Sequence, residues 1–344
     1  MSLAIQILVT LLLLSVLIIG HELGHYTAGR LLGFDILEFS VGMGPRVFGF
    51  KKNAIEYTVR LFPIGGMCRF AEEDEAPTKT GSFRAKAPWK RAVVVFSGPF
   101  MNFVLAFLIS MGLYLGYGTY DASRVTVDSV TSGGPAAVAG MQPGDEFISV
   151  DHKAIASFDS LRAALDEADS QGMPVTVKRD GETVELTLSD LYDSATESNM
   201  MGVTITYARV PDSLFAAVKH SLSFCKEMGL VVFKSLGMLF SGEAKISDMS
   251  GVVGVTRIVG EAIQYGAESV LSLGVMLSMN LGIMNLLPIP ALDGGRLLFI
   301  LVEWVRKKPV PPEKEGIVHL IGIILLMALT VYLVFHDVIA WIGA

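Results

Sequence analysis

Apolar residues fall into two patterns along this chain, long unbroken runs and short alternating stretches. Four runs are long enough to cross about 30 Å of hydrocarbon at about 1.5 Å per helical residue: residues 3–20, 93–117, 270–287 and 317–335. Each predicts a transmembrane helix. No Lys or Arg precedes the first run and no small-residue cleavage signal follows it, so it reads as an uncleaved span. Residues 215–240 are also apolar, but Lys219, His220, Lys226, Glu227 and Lys234 interrupt them. That stretch predicts an amphipathic surface helix rather than a fifth span.

Between the spans the pattern shortens. In residues 121–208, β-rich runs at 125–130, 146–150, 175–178 and 184–188 are separated by turn signals at Gly133-Gly-Pro135, Pro143-Gly-Asp145 and Asp180-Gly181. A helix over 158–168 opens behind Ser157 as its N-cap. This predicts a small α+β domain. Residues 34–70 combine strand-like alternation at 55–61 with Gly42, Gly44, Gly49, Gly65 and Gly66 and carry few charges for an exposed loop. They predict a pair of β-hairpins dipping toward the membrane, where non-helical backbone survives only if buried in protein or lining a wet cavity. An ordinary cytosolic hairpin satisfies the alternation nearly as well.

Composition supports membrane embedding. Of 344 residues, 51% are hydrophobic and only 18% charged, against roughly 25% charged in soluble domains. The formal charge of -7 argues against a nucleic-acid partner. Residues 26–92 carry 11 Lys/Arg against 7 Asp/Glu, residues 294–316 carry 5 against 3, and residues 118–269 carry 11 against 21. The positive-inside rule then puts the first and third connections in the cytoplasm and the long acidic one outside. With four spans, both termini lie outside. Cys68 and Cys225 are too few for a disulfide framework and fall on opposite sides, so they are not expected to pair.

Candidate chemistry begins where the first span ends, in His21-Glu22-Leu23-Gly24-His25. On a helix His21 and His25 share a face, so both imidazoles can hold one Zn²⁺, with Glu22 beside them free to act as general base on a water. Ionisable groups at membrane depth are functional by default. The competing reading is a pair of interfacial histidines with Glu22 facing water. A hydrolytic zinc site needs a third protein ligand and an open position. The metzincin continuation fails, because Ala28 and Leu31 stand where Gly and His would be needed. Glu38 is close in sequence but in a predicted loop, and His319 stays a candidate inside the fourth span. Asp293 is the best candidate, in Asn285-Leu-Leu-Pro-Ile-Pro-Ala-Leu-Asp-Gly-Gly295 after the third span. Taken alone, Asp293 would read as an N-cap for the helix that follows.

These residues together resemble the site-2 proteases, zinc intramembrane proteases of the bacterial RseP and RasP type. The likeness rests on His-Glu-x-x-His ending the first span, Asn-x-x-Pro-x-Pro-x-Leu-Asp-Gly beyond the third, and 133–145, which resembles the helix-and-turn signature of bacterial PDZ domains. Gly98-Pro99 with Asn102, and residues 242–251, extend it over nearly the whole chain. The resemblance implies a helical membrane protein with four transmembrane helices, a membrane-associated β region and one extracytoplasmic PDZ domain. Its parts would be 1–33 and 93–117 as the first two transmembrane helices, 34–70 as the re-entrant β region and 71–92 as a cytoplasmic connection. The PDZ domain would be 121–208 and the amphipathic gating region 211–268. The third transmembrane helix with its motif would be 269–295, followed by a cytoplasmic connection at 296–316 and the fourth transmembrane helix at 317–344.

By the same resemblance His21, His25 and Asp293 would bind zinc, Glu22 would be the catalytic acid/base, and Asn285 would hold the substrate backbone or stabilise the oxyanion. Substrates would be single-span membrane proteins such as anti-sigma factors or signal-peptide remnants. An upstream site-1 protease would trim them before this chain acts in the bacterial cytoplasmic membrane. Two features depart from the enterobacterial pattern: this chain has one PDZ domain rather than two, and Met67-Cys68 stand where aromatic residues often follow the glycine pair. The rival readings are a membrane zinc hydrolase of some other substrate, a catalytically silent PDZ scaffold or chaperone, and a metal transporter. A transporter would show polar residues in several spans at several depths, and Glu22 would be superfluous in a scaffold.

Overall fold

The computed structural model describes residues 2–73, 79–167, 172–189, 191–193, 198–244 and 251–342. In chain order the elements are α1 (Leu3–Leu31), β1 (Ile36–Lys52), β2 (Ile55–Phe70), α2 (Pro88–Tyr117), β3 (Thr119–Val130), α3 (Pro135–Val138), β4 (Glu146–Val150), β5 (Lys153–Ala154) and α4 (Phe158–Glu167). They continue with β6 (Met173–Arg179), β7 (Glu182–Leu188), β8 (Tyr192–Asp193), β9 (Ser198–Asn199), β10 (Val203–Val210), α5 (Leu214–Ser241), α6 (Val252–Gln264), α7 (Ala267–Leu286), α8 (Asp293–Arg306) and α9 (Pro312–Ile342). Two compact units result, one of residues 1–113 with 218–344 and one of residues 114–217.

Among the described residues, α1, α2, α7 and α9 are the four helices long and apolar enough to span a membrane. Leu8 and Leu12 of α1 and Ile324 and Leu325 of α9 are exposed, as side chains facing lipid rather than water would be. α1 continues to Leu31, well past its apolar run, and carries the His-Glu-x-x-His motif on unbroken helix. Its buried face is Thr10, Leu17, His21, Gly24, His25 and Gly29. Small residues set the helix contacts, as expected where lipid leaves no hydrophobic drive for helix association. A Cβ at Gly24 would sit 2.1 Å from the Ser97 carbonyl oxygen, so α1 and α2 touch backbone to backbone there. At Gly282 of α7 a Cβ would meet the Phe103 ring of α2 at 2.6 Å.

α5 matches the amphipathic helix expected from its charges. It is not only a surface helix, because Ala217, Ser221, Cys225, Gly229 and Val232 form a buried stripe at helical spacing. Cys225 packs with Ala106 and Leu113 of α2 and Val275 and Met279 of α7. Lys219, Lys226 and Lys234 are exposed on the opposite side of the helix. α6 forms a separate helix within the 211–268 region. Its N-terminus is capped from α9, where Asp337 Oδ2 accepts the backbone N–H groups of Gly251 and Gly254 at 2.9 and 2.8 Å. Residues 245–250 of the 242–251 motif lie outside the described residues.

The β1–β2 region folds back on itself. Residues Glu38 to Val41 pair on one side with Arg69 to Gly66 and on the other with Glu56 to Val59, while Arg46 to Lys52 pair with Arg60 to Ile55. The result is two hairpins in one sheet, with residues 38–41 in its middle and residues 66–70 along an edge. At its centre the buried Glu38 carboxylate accepts hydrogen bonds from the Thr58 hydroxyl at 2.8 Å and the Arg60 guanidinium at 2.6 Å. Burial pushes the Glu38 carboxyl up, but the bonds from Arg60 and Thr58 outweigh it and hold the group below the usual carboxylate range. Ion pairs Arg84–Glu315 and Arg91–Glu303, each 2.5 Å, and Arg296–Glu73 join the connection after β2 and the start of α2 to α8 and the start of α9. Residues of the stretches 26–92 and 294–316 therefore pack against each other.

The second unit is a sheet with strand order β10-β3-β4-β6-β7, β5 pairing on β4. Its core holds Val125, Val127, Phe147, Val150, Val175, Val177 and Leu188 from the strands, with Leu161 of α4 packed among them. Ser157 caps α4 as expected, its Oγ accepting the Ser160 N–H at 3.1 Å. The fully buried Asp145 takes two hydrogen bonds from Arg179, both 2.7 Å. Both cysteines are free.

Candidate metal centre

Five elements converge on a cavity of about 470 Å³ lined by His21, Glu22 and His25 from α1, the 66–70 edge of β2, Val94 and Val95 from α2, Asn285 from the last turn of α7, and Asp293 and Arg296 from α8. The i, i+4 spacing turns both imidazoles of α1 to the same point, with Nε2 atoms 3.1 Å apart. Asp293 Oδ2 lies 3.0 Å from His21 Nε2 and 3.4 Å from His25 Nε2. His21, His25 and Asp293 thus form the group able to share one metal ion among the described residues.

The local sequence makes this approach possible. α7 ends at Leu286, and Pro288 and Pro290 keep the chain from continuing as helix. Gly294 and Gly295 then let α8 start against that loop: a Cβ at Gly294 would lie 2.1 Å from the Leu287 carbonyl oxygen, and one at Gly295 2.4 Å from that of Ile289. Across the site, Gly98 of α2 faces the imidazoles, where a Cβ would come within 2.3 Å of His25 Nε2. His25 Nδ1 is 2.9 Å from the Val94 carbonyl. A carbonyl can only accept, so the proton sits on Nδ1 and Nε2 turns its lone pair to the site.

The donor set fits zinc. Ligand atoms at tetrahedral positions around Zn²⁺, with bonds of about 2.0–2.1 Å, stand about 3.3 Å apart, and the three separations here are 3.1, 3.0 and 3.4 Å. Asp293 Oδ2 is fully buried and has no well-directed hydrogen bond among the described residues. A buried carboxylate oxygen crowded by two ring nitrogens yet without a properly aimed donor is satisfied by a cation. Asp293 is the first residue of α8 and Leu292 its N-cap, with no side-chain capping bond, so the capping reading of Asp293 does not hold.

The other sequence candidates fall elsewhere. His319 accepts the Ala291 N–H on Nδ1 at 2.9 Å and shapes the proline loop. Glu38 is engaged within the β region. Glu22 and Asn285 both line the cavity, and β2 passes so close to Glu22 that a Cβ at Gly66 would meet its Cγ at 2.9 Å. Gly98 and Asn102 belong to the site as well, although in the sequence they mark only the second span. Their spacing was the available signal, since residues four apart share a helix face.

Comparison with known proteins agrees with this geometry. The family model described as peptidase family M50 matches residues 9–329. A Clostridium perfringens protein named as a candidate zinc metalloprotease is 34% identical over 97% of this chain and 98% of its own length. Zinc metalloprotease RasP of Shouchella clausii is 31% identical over 94% of this chain and 96% of its own. Regulator of sigma-W protease RasP of Bacillus subtilis is 28% identical over 95% and 97%.

Proposed function

The chain belongs to peptidase family M50 and is a zinc metalloendopeptidase of multi-pass membrane architecture, and we propose that it cuts peptide bonds within the transmembrane segments of pre-trimmed single-span membrane proteins. One observation carries this reading: the outer edge of β2, residues 66–70, lines the same cavity as the His/His/Asp cluster. A peptide bond in a transmembrane helix is shielded by its own hydrogen bonds, so the substrate must unwind, and its freed backbone groups need partners at a depth where water is scarce. A sheet edge supplies them by strand addition.

His21, His25 and Asp293 would hold the zinc, with Glu22 and Asn285 as the catalytic pair. Bound zinc would polarise the scissile carbonyl and acidify a water. Glu22, next to His21 in the chain and against Gly66 in the cavity wall, would take the water's proton and return it to the leaving amine. Asn285, which lines the same cavity, would donate its amide N–H to the carbonyl oxygen as charge develops. Its carboxamide is neutral, so it can do this without competing for the metal.

Residues 121–208 are read as a PDZ domain, supported by the Gly133–Asp145 signature and by a five-stranded path flanked by two helices. It would lie outside the cytoplasmic membrane and pass only substrates shortened by an upstream protease. One relative's name ties that protein to sigma-W; an anti-sigma factor or a signal-peptide remnant suits the same chemistry here. The test is to incubate the purified, zinc-loaded chain with a single-span substrate and map the cut by mass spectrometry. A cut inside the apolar segment supports the proposal, and cuts confined to the flanking soluble segments would overturn it.

A further inference from the structure

Behind the metal centre, Asn102 of α2 is completely buried, one turn on from Gly98. Its backbone carbonyl accepts the Ser278 hydroxyl of α7 at 2.8 Å, which locks that turn. Its side-chain Nδ2 stands 3.1 Å from His21 Nδ1, the ring nitrogen facing away from the metal cluster. Its Oδ1 has no hydrogen-bond partner among the described residues.

These contacts make the amide sensitive to the proton on His21. With Nδ2 facing the ring, His21 Nδ1 must accept, so the ring proton is on Nε2, beside Asp293 Oδ2. A metal on Nε2 needs that lone pair and moves the proton to Nδ1. Two donors would then oppose each other at 3.1 Å. Half a turn of the carboxamide, whose two ends are alike in shape, presents Oδ1 as an acceptor instead. The far end of the amide is unpartnered in either orientation, so the bond to His21 decides which one is adopted.

We propose that Asn102 is a positioning residue of the metal site, donating to His21 in the metal-free protein and accepting from its Nδ1–H once zinc is bound. The proposal rests on His21 and His25 being zinc ligands. It explains a neutral amide at this position: a carboxylate could serve only the loaded state, and an apolar side chain neither. Removing such a partner of a ligating histidine typically weakens metal binding about 10–100-fold.

The test measures zinc affinity of the full-length protein in detergent by competition with a chromogenic chelator, alongside melting temperatures with and without zinc. Asn102→Leu, which fills the volume, and Asn102→Ala, which leaves it open, should each bind zinc about 10–100-fold more weakly than wild type. Asn102→Asp, which keeps the acceptor, should bind it at least as tightly as wild type while melting lower when zinc-free. His25→Ala separates the two ideas, since its failure to weaken zinc binding would refute the ligand set itself. If His25→Ala loses zinc but the folded Leu or Ala variant binds like wild type, or if Asp is as weak as they are, the role given to Asn102 is wrong.

Discussion

Gly98 leaves His25 no spare room: a Cβ placed on Gly98 would stand 2.3 Å from Nε2 of the imidazole and 2.9 Å from that of His21. The metal-facing edges of both rings therefore rest on bare backbone of α2. Gly98→Ala should push both rings off the point where they meet Asp293. A misplacement of about 1 Å costs about a hundredfold in rate, so cleavage should fall at least that far, with zinc content reduced in metal analysis. A fully active, zinc-replete alanine variant would show that α2 yields.

The edge of β2 makes a separate prediction. Successive N–H groups of an extended strand point to opposite sides, so of Met67 and Cys68 one faces residues 38–41 and the other the cavity. Proline at the outward position should raise KM up to about tenfold, the worth of one hydrogen bond, with zinc content and melting temperature unchanged. At the inward position it should lower the melting temperature instead. If neither substitution alters substrate binding, the edge does not receive the substrate.

Glu38 makes the β region acid-sensitive. Its carboxyl is held below the ordinary value in the fold, so its bonds to Arg60 and Thr58 contribute fully above the unfolded carboxylate pKa of about 4.3 and are lost as pH falls through the lowered one. Hydrogen exchange across residues 36–70 should therefore quicken at the acid end of that window. Glu38→Gln should be looser by about 1.5–3 kcal/mol at neutral pH and lose that acid dependence. An unchanged pH profile in the variant would place the titrating group elsewhere.

If residues 121–208 act as a size filter, deleting them should allow cleavage of untrimmed substrates while trimmed ones are cut at an unchanged rate. Equal selectivity with and without the segment, measured on paired long and short substrates, would remove the filter from the account.

Much of this was legible in the sequence where a local rule operates. Unbroken apolar runs gave the four spanning helices, and the i, i+4 histidines kept their shared face because α1 runs on through the motif. Asp293 was recognisable because prolines and glycines around it announce a tight turn. Sequence could not show that residues 38–41 are paired on both sides, since alternation marks strands but not their register, and five glycines blur the faces. The buried stripe of α5 was masked by lysines lying on its other side. Asn102 lay hidden because its partner, His21, is 81 positions away, and a helix crossing at Gly24 and Ser97 is what brings them together.

The central claim is that Glu22 performs proton transfer at a zinc site built from His21, His25 and Asp293. It is tested most directly by cleavage of one single-span substrate by wild type and Glu22→Gln in the same detergent, with zinc measured in both. The account predicts equal zinc content, cleavage by wild type and none by the variant. Equal cleavage by both would contradict it.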